Sequence, residues 1–448
     1  MTSGSKIRKF VILGGGGLGV VAPFIDMASF PEVFAEAEVA LYDVDTQRAE
    51  LMAQFLNLTA RAQDVARRAR AYTDLAAACE GADFLLSRFR PGGSRFQATG
   101  VSHAQALYYW ANDCGYFADD TAAPVAVVMY LEGIDTTMQV VRVLERVAPQ
   151  AWFLNYTNPT QVMADTIWRC SSIRAVGLCP GYLNACHDLS FILGDVRPEE
   201  ISVRAAGINH HTWVFDCRIR GEDGYALLRR RLPTIQRDAL QPYQRWALET
   251  WERVGYFPAT AGHMQPAFSN RALLARVRAG LDAHWDRPLA QTQDTSAGRW
   301  EFIRQCVARN AIPGEDPRWR AFDYNPWTPN LEVNFAAAVA SGQEAELQLN
   351  LPNRGLLPDL PEDAVVEGPT RVRGGDLKQL PVGRLQPAAV PVLARLCDFT
   401  ANLTAAYLQQ DPGCIRQALT AHPATESATQ AATTADDILK RVVIPVPR

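Results

Sequence analysis

The chain has 448 residues, 48% hydrophobic and 21% charged, with a formal net charge of −4. That length exceeds what one hydrophobic core usually serves, and the composition is that of a globular protein. The mixed charge lacks the basic stripe that marks a nucleic-acid partner, and no apolar run reaches the about 18 residues of a membrane helix, so a cytoplasmic protein is expected.

In chain order, "KFVILGGGG" reads as a buried strand ending in a glycine turn, and "EVALYDVD" as a second strand ending in acids. A helix with Pro23 near its start fits between them, since a first turn tolerates the missing N–H. "TQRAELMAQFLNLTARAQDVARRA" has helical spacing throughout. "GADFLLSRF", "APVAVVMYL", "AWFLNYTNP" and "RAVGLCPG" are strand candidates, although the second runs directly into "IDTTMQVVRVLERVAP", whose spacing is helical. Strands alternating with helices predict an α/β fold with a Rossmann-like, doubly wound parallel sheet over residues 1–199. Alternation replaces continuous runs from about residue 200. "EISVRAAGINHHTWVFDCRIRG" reads as a hairpin, a helical middle extends to about residue 310, and "EAELQLNLPNRGLLPDLPEDAVVEGPTRVRGG" reads as antiparallel strands. A helical pair split by "QQDPG" comes next, so residues 200–448 form a C-terminal α+β domain.

Gly14, Gly16, Gly17 and Gly19 lie where a first strand opens into a helix, a pattern that lets backbone N–H groups approach a pyrophosphate. Asp43 and Asp45 end the second strand, where a carboxylate accepts ribose hydroxyls and repels a 2′-phosphate, favouring NAD over NADP. Arg88, Arg90 and Arg95 flank a Gly-Gly turn after the third strand and suit a phosphate or carboxylate; the alternative is a solvated loop. Asn155 and Asn158 in "NYTNPT" fit a nicotinamide ribose or substrate hydroxyls, or equally an Asx turn. The nine cysteines include no C-x-x-C pair, so a zinc ribbon and a disulfide framework are not expected. Cys179 and His210 each come after a short apolar run. On spacing alone they are a core thiol and a satisfied histidine, or two ligands of a catalytic metal that keeps open positions.

The segments "VILGGGGLG", "LYDVDTQRAELM", "SRFRPGGSRFQ", "NYTNPT", "GLCPG", "GINHHTW", "LNLPNRGLLPDLPEDAVVEGP" and "LTAHPATES", in this order, resemble glycoside hydrolase family 4, the NAD- and divalent-metal-dependent glycosidases. The resemblance spans nearly the whole chain. It implies a fold like that of lactate and malate dehydrogenases, in a homodimer or homotetramer, with a sugar or glycoside as the small-molecule partner. It implies Cys179 and His210 as ligands of a divalent metal, usually manganese, and Asn158 and Asn209 beside the substrate, with Arg88 and Arg95. The chemistry it implies is transient oxidation at C3 by NAD, loss of the C2 proton and elimination of the C1 substituent.

Two of the family's segments are altered here. The Gln-Glu-Thr stretch has only Glu132-Gly133 and Asp135 as an echo, and "FPATAGHMQPAF" places Ala261 where the family has an aspartate. Tyr256, His263 and Asp135 are therefore the candidate acid/base residues. Two further readings remain beside the glycosidase: a redox-only epimerase, dehydratase or dehydrogenase using the same site, and an inactive NAD- or sugar-binding homologue.

Overall fold

The computed structural model describes residues 5–90, 103–117, 119, 121, 123–279, 295–312 and 330–447. One mixed sheet runs through the molecule, in the order β10-β8-β7-β12-β11-β6-β5-β4-β1-β2-β3. Its parallel part consists of β1 (Lys9–Leu13), β2 (Glu38–Tyr42), β3 (Arg68–Tyr72), β4 (Phe84–Ser87), β5 (Trp152–Asn155) and β6 (Arg174–Leu178). The order 3-2-1-4-5-6 is that of a doubly wound nucleotide-binding sheet, with its switch point at β1.

The antiparallel part consists of β7 (Ile201–Ile208), β8 (His211–Ile219), the short β9 (Glu222–Asp223) and β10 (Phe257–Pro258), then β11 (Ala345–Pro352), β12 (Val365–Arg373) and β13 (Asp376–Gln379). It joins the parallel part where β11 pairs antiparallel with β6, setting Asn350 opposite Gly177. Gly177 is required there, because a Cβ on it would lie 2.8 Å from Asn350 Cβ and 2.8 Å from Thr160 Cγ2.

Alternate residues of β1 feed two cores. Val11 and Leu13 face one built with the helices Val125–Val147 and Thr160–Cys170 and the C-terminal helices Val390–Gln409, Pro412–Ala421 and Ala428–Arg441. Phe10 and Ile12 face another, built with Thr46–Ala62, Thr295–Arg309 and Leu331–Ser341. Period-2 alternation in a strand covered on both faces produces this split. C-terminal helices thus complete both layers over the N-terminal strands.

Two local expectations fail. The helix from Thr46 stops at Ala62, and Arg68–Tyr72 is the edge strand β3. Asp64 takes a left-handed φ of 54°, which ends the helix, and Arg67 turns inward to donate to Phe24 O at 2.8 Å and stack on the Phe24 ring. The run "VAVVMYL" is the start of the helix Val125–Val147 and not a strand. Every residue of that run is buried, and a fully buried apolar run carries no periodicity by which to tell a strand from a helix.

Candidate active site

Parallel strands place the residues after β1, β4, β5 and β6 on one edge of the sheet. Gly14, Arg88, Tyr156 and Cys179 all succeed strands at that carboxyl edge, where open α/β sheets bind ligands.

At the glycine turn, Gly14 has φ +86°, and a Cβ there would lie 2.8 Å from Arg88 O. Gly16 donates its N–H to Asp43 Oδ2 at 2.9 Å, and the other oxygen of Asp43 accepts from Asp45 N at 2.9 Å. The two acids therefore divide their work. Asp43 is held against the turn, whereas Asp45 caps the next helix by accepting from Arg48 N at 3.0 Å. Gly17 starts the next helical turn in an extended conformation, and Gly19 packs against the Arg88 side chain. Arg88, expected to meet substrate, instead donates to Gly19 O at 3.1 Å and to the buried carboxylate of Glu332 at 3.3 Å, with Tyr156 donating to the other Glu332 oxygen at 2.9 Å. Burial pushes Glu332 up, and the Arg88 charge opposes this. Arg88 therefore braces the glycine turn. Arg95 lies outside the described residues.

Asn155 is fully buried and closes an Asx-type turn, donating to Thr157 O at 3.0 Å and accepting from Thr157 N at 3.3 Å. The local alternative thus describes it. Asn158 accepts from the Thr160 hydroxyl at 3.0 Å, ahead of a cis peptide to Pro159.

His210 sits in the two-residue turn between β7 and β8, where Ile208 pairs with His211. Its φ is +61°, a left-handed conformation uncommon for residues other than glycine, and the surroundings help to hold it. They do so from two sides: Thr260 Oγ1 donates to His210 O at 2.7 Å, and Asn209 Nδ2 donates to Glu367 at 2.7 Å. Asn209, expected beside the substrate, is fully buried and ties the turn to β12. Cys179 comes close to the same turn from β6. A Cβ on Gly181 would lie 3.1 Å from Cys179 Sγ and 3.8 Å from His210 Cδ2.

Asp119, His210 and His263 form a cluster whose ligand atoms lie within 4.8 Å of one another. Asp119 is 2% exposed, and His263 is the more exposed of the two imidazoles. Asp119 Oδ1 accepts from Thr121 N at 2.9 Å and from Thr121 Oγ1 at 2.7 Å, and Oδ2 pairs with His263 Nδ1. Thr121 Oγ1 lies 2.9 Å from His210 Nδ1, and the two imidazole rings lie 4.3 Å apart between centroids, tilted by 41°. Burial pushes Asp119 up, but the charge and hydrogen bond of His263, with His210, outweigh it and hold the carboxyl well below the usual range. His210 is pushed down to about 3, chiefly by burial and then by His263, against the pull of Asp119. A neutral imidazole is the form that ligates a metal.

Of the three acid/base candidates, only His263 joins this cluster. Tyr256 packs against two apolar clusters beneath β8. Asp135 lies on the helix Val125–Val147, accepting from Gln139 at 2.8 Å and lining a groove with Leu75, Arg142 and Tyr407, away from every cluster residue. Asp119 and Thr121 were missed. Their signal was the Asp-x-Thr spacing in "FADDTAAP", which favours a side-chain-closed turn.

The side chains that converge, two imidazoles and a carboxylate, fit a divalent ion, with the Cys179 thiol close to the His210 ring at Gly181. The glycine turn fits a dinucleotide, with backbone close enough to Arg88 and Asp43 that side chains on Gly14 or Gly16 would fill it.

Comparisons with known proteins place the chain in a family. The sequence profile described as Family 4 glycosyl hydrolase matches residues 9–194, and that of the Family 4 glycosyl hydrolase C-terminal domain matches residues 205–425. The chain is 24% identical over 368 residues to an alpha-galactosidase of Bacillus subtilis, covering 81% of this chain and 80% of that one. It is 23% identical over 444 residues to an alpha-galacturonidase of the same organism, covering 93% of each. A crystal structure of a 6-phospho-alpha-glucosidase from gut microorganisms, in complex with NAD and Mn2+, superposes with a TM-score of 0.77 at 17% identity, over 97% of this chain and 98% of the other.

Proposed function

The chain belongs to glycosyl hydrolase family 4, and from that premise we propose that it is an NAD- and divalent-metal-dependent glycosidase. The observation that carries the reading is one edge of one sheet bearing both a dinucleotide turn, Gly14 to Gly19 with Asp43, and a donor set centred on His210 and Cys179.

Gly14, Gly16, Gly17 and Gly19 would hold the dinucleotide pyrophosphate through backbone N–H groups, with Asp43 at its ribose. Cys179 and His210 would hold the metal, manganese in the structural relative. When bound, the dinucleotide exchanges a hydride with the sugar and the ion polarises a sugar carbonyl. The chain's own residues do the rest. Asn158 stands after β5, at the same edge, to orient a sugar hydroxyl. His263 is the titratable side chain of the cluster that reaches solvent, and it handles a proton with its ring oriented by Asp119. This pair stands in for the carboxylate that Ala261 cannot supply.

The alpha-galactosidase relative makes an aryl α-galactoside the first substrate to test, with an α-galacturonide beside it. Nine free cysteines support a reducing compartment, hence the cytoplasm. A homodimer or homotetramer belongs to the same reading. The test is incubation with NAD, Mn2+ and these glycosides in deuterated water. Aglycone release with deuterium at C2, dependent on both additions, is expected. Deuterium wash-in without release would replace the glycosidase by an epimerase, and net NADH accumulation by a dehydrogenase.

A further inference from the structure

Resting on that reading, we propose that Asp119 and Thr121 act as positioning residues for the metal, fixing the tautomer and ring orientation of His210 without touching the ion. The protons of the cluster can be assigned one by one. A carboxylate only accepts, so the Thr121 hydroxyl spends its single proton on Asp119 Oδ1, at 2.7 Å. The same hydroxyl lies 2.9 Å from His210 Nδ1 and has no proton left to give, so the imidazole must be the donor. His210 is thereby the Nδ1–H tautomer, and its Nε2 carries the lone pair that a metal takes. A carboxylate or its relay on the far nitrogen of a ligating histidine is the arrangement that orients the ring and raises ligand basicity.

Asp119 itself is occupied as an acceptor. Oδ1 takes the Thr121 N–H and hydroxyl, and Oδ2 takes His263 Nδ1. One carboxylate thus sets two imidazoles, His263 directly and His210 through Thr121. The relay also comes from a separate segment, between the helices His103–Asp113 and Val125–Val147, so it restrains His210 independently of its own turn.

The experiment is Mn2+ binding to the full-length protein without sugar, read by electron paramagnetic resonance of free Mn2+, for wild type, Thr121→Val, Thr121→Ser, Asp119→Asn and His210→Ala. Thermal melting without metal checks that each variant is folded. Thr121→Val is expected to weaken Mn2+ binding by about 10- to 100-fold, the range for losing such a partner, and Thr121→Ser to restore it to within a few-fold. At saturating Mn2+, turnover should largely return in Thr121→Val but not in Asp119→Asn, which also loses the partner of His263. Unchanged Mn2+ affinity in a folded Thr121→Val overturns the proposal. So does abolished binding in Asp119→Asn beside an intact Thr121→Val, which would make Asp119 a ligand. Failure of the wild type to bind Mn2+, or of His210→Ala to weaken it, would instead refute the underlying functional reading.

Discussion

Glu367 is a carboxyl group placed where a carboxylate is expensive, and its replacement by glutamine gives a signed, pH-dependent prediction. It is 1% exposed on β12, opposite Gly207 of β7 and Asn350 of β11. Burial pushes it up from 4.5 to about 7, against the amides of Asn209, Gln348 and Asn350. Because the folded-state value is the higher one, the folded protein holds the proton more tightly than the unfolded chain. Below about 4.5 the group costs nothing, stability falls as pH rises from there to about 7, and above that the full penalty applies. A gap from 4.5 to about 7, at about 1.36 kcal/mol per pH unit, amounts to roughly 3 kcal/mol. Glu367→Gln removes the ionisation. The Oδ1 atoms of Asn209 and Asn350 have no partner among the described residues, so a glutamine amide has acceptors to meet. The variant should gain on the wild type by up to about 3 kcal/mol near pH 8 and by almost nothing near pH 4. Urea denaturation monitored by tryptophan fluorescence at both pH values measures this. A stability difference that is the same at both, or that grows in acid, refutes the reasoning.

Asp43→Asn removes the charge behind Gly16 N–H and the expected ribose acceptor, so NAD affinity should fall about tenfold and the preference over NADP should shrink, as measured by fluorescence titration of both cofactors. Gly207→Ala would bring a Cβ to 2.2 Å from His211 O and 2.9 Å from Thr212 Cα. Both are backbone atoms at the start of β8, next to the turn that carries His210, so a loss of at least about 2 kcal/mol is expected, with weakened Mn2+ binding; a melting temperature equal to that of the wild type would count against the packing argument.

The dinucleotide half of the site was legible because its parts are contiguous. A strand, a glycine turn and an acid at the next strand end are local signals, and Gly16 and Asp43 meet as their spacing suggests. Even there, spacing did not separate Asp43 from Asp45, since the choice between a turn partner and a helix cap depends on where Arg48 N points. The roles of Arg88 and Asn209 were hidden for a related reason. Their partners, Glu332 and Glu367, lie far along the chain and became neighbours only through packing.

By itself the sequence determined the alternating strands and helices of an α/β nucleotide domain and the family, because periodicity and short motifs are written in neighbouring residues, and through that resemblance it singled out Cys179 and His210. Only the tertiary structure decided what surrounds that pair. Asp119, Thr121 and His263 come from a loop and a helix 144 residues apart at their extremes, and neither the Asp-x-Thr spacing nor the segment around His263 says that they meet. The antiparallel strands β7 and β8 join the nucleotide sheet through β12 and β11, and the chain after β6 brings Cys179 and Gly181 up to the His210 turn between them. The contact of Thr121 Oγ1 with His210 Nδ1 at 2.9 Å joins segments 89 residues apart, and no reading of the chain in order can place it.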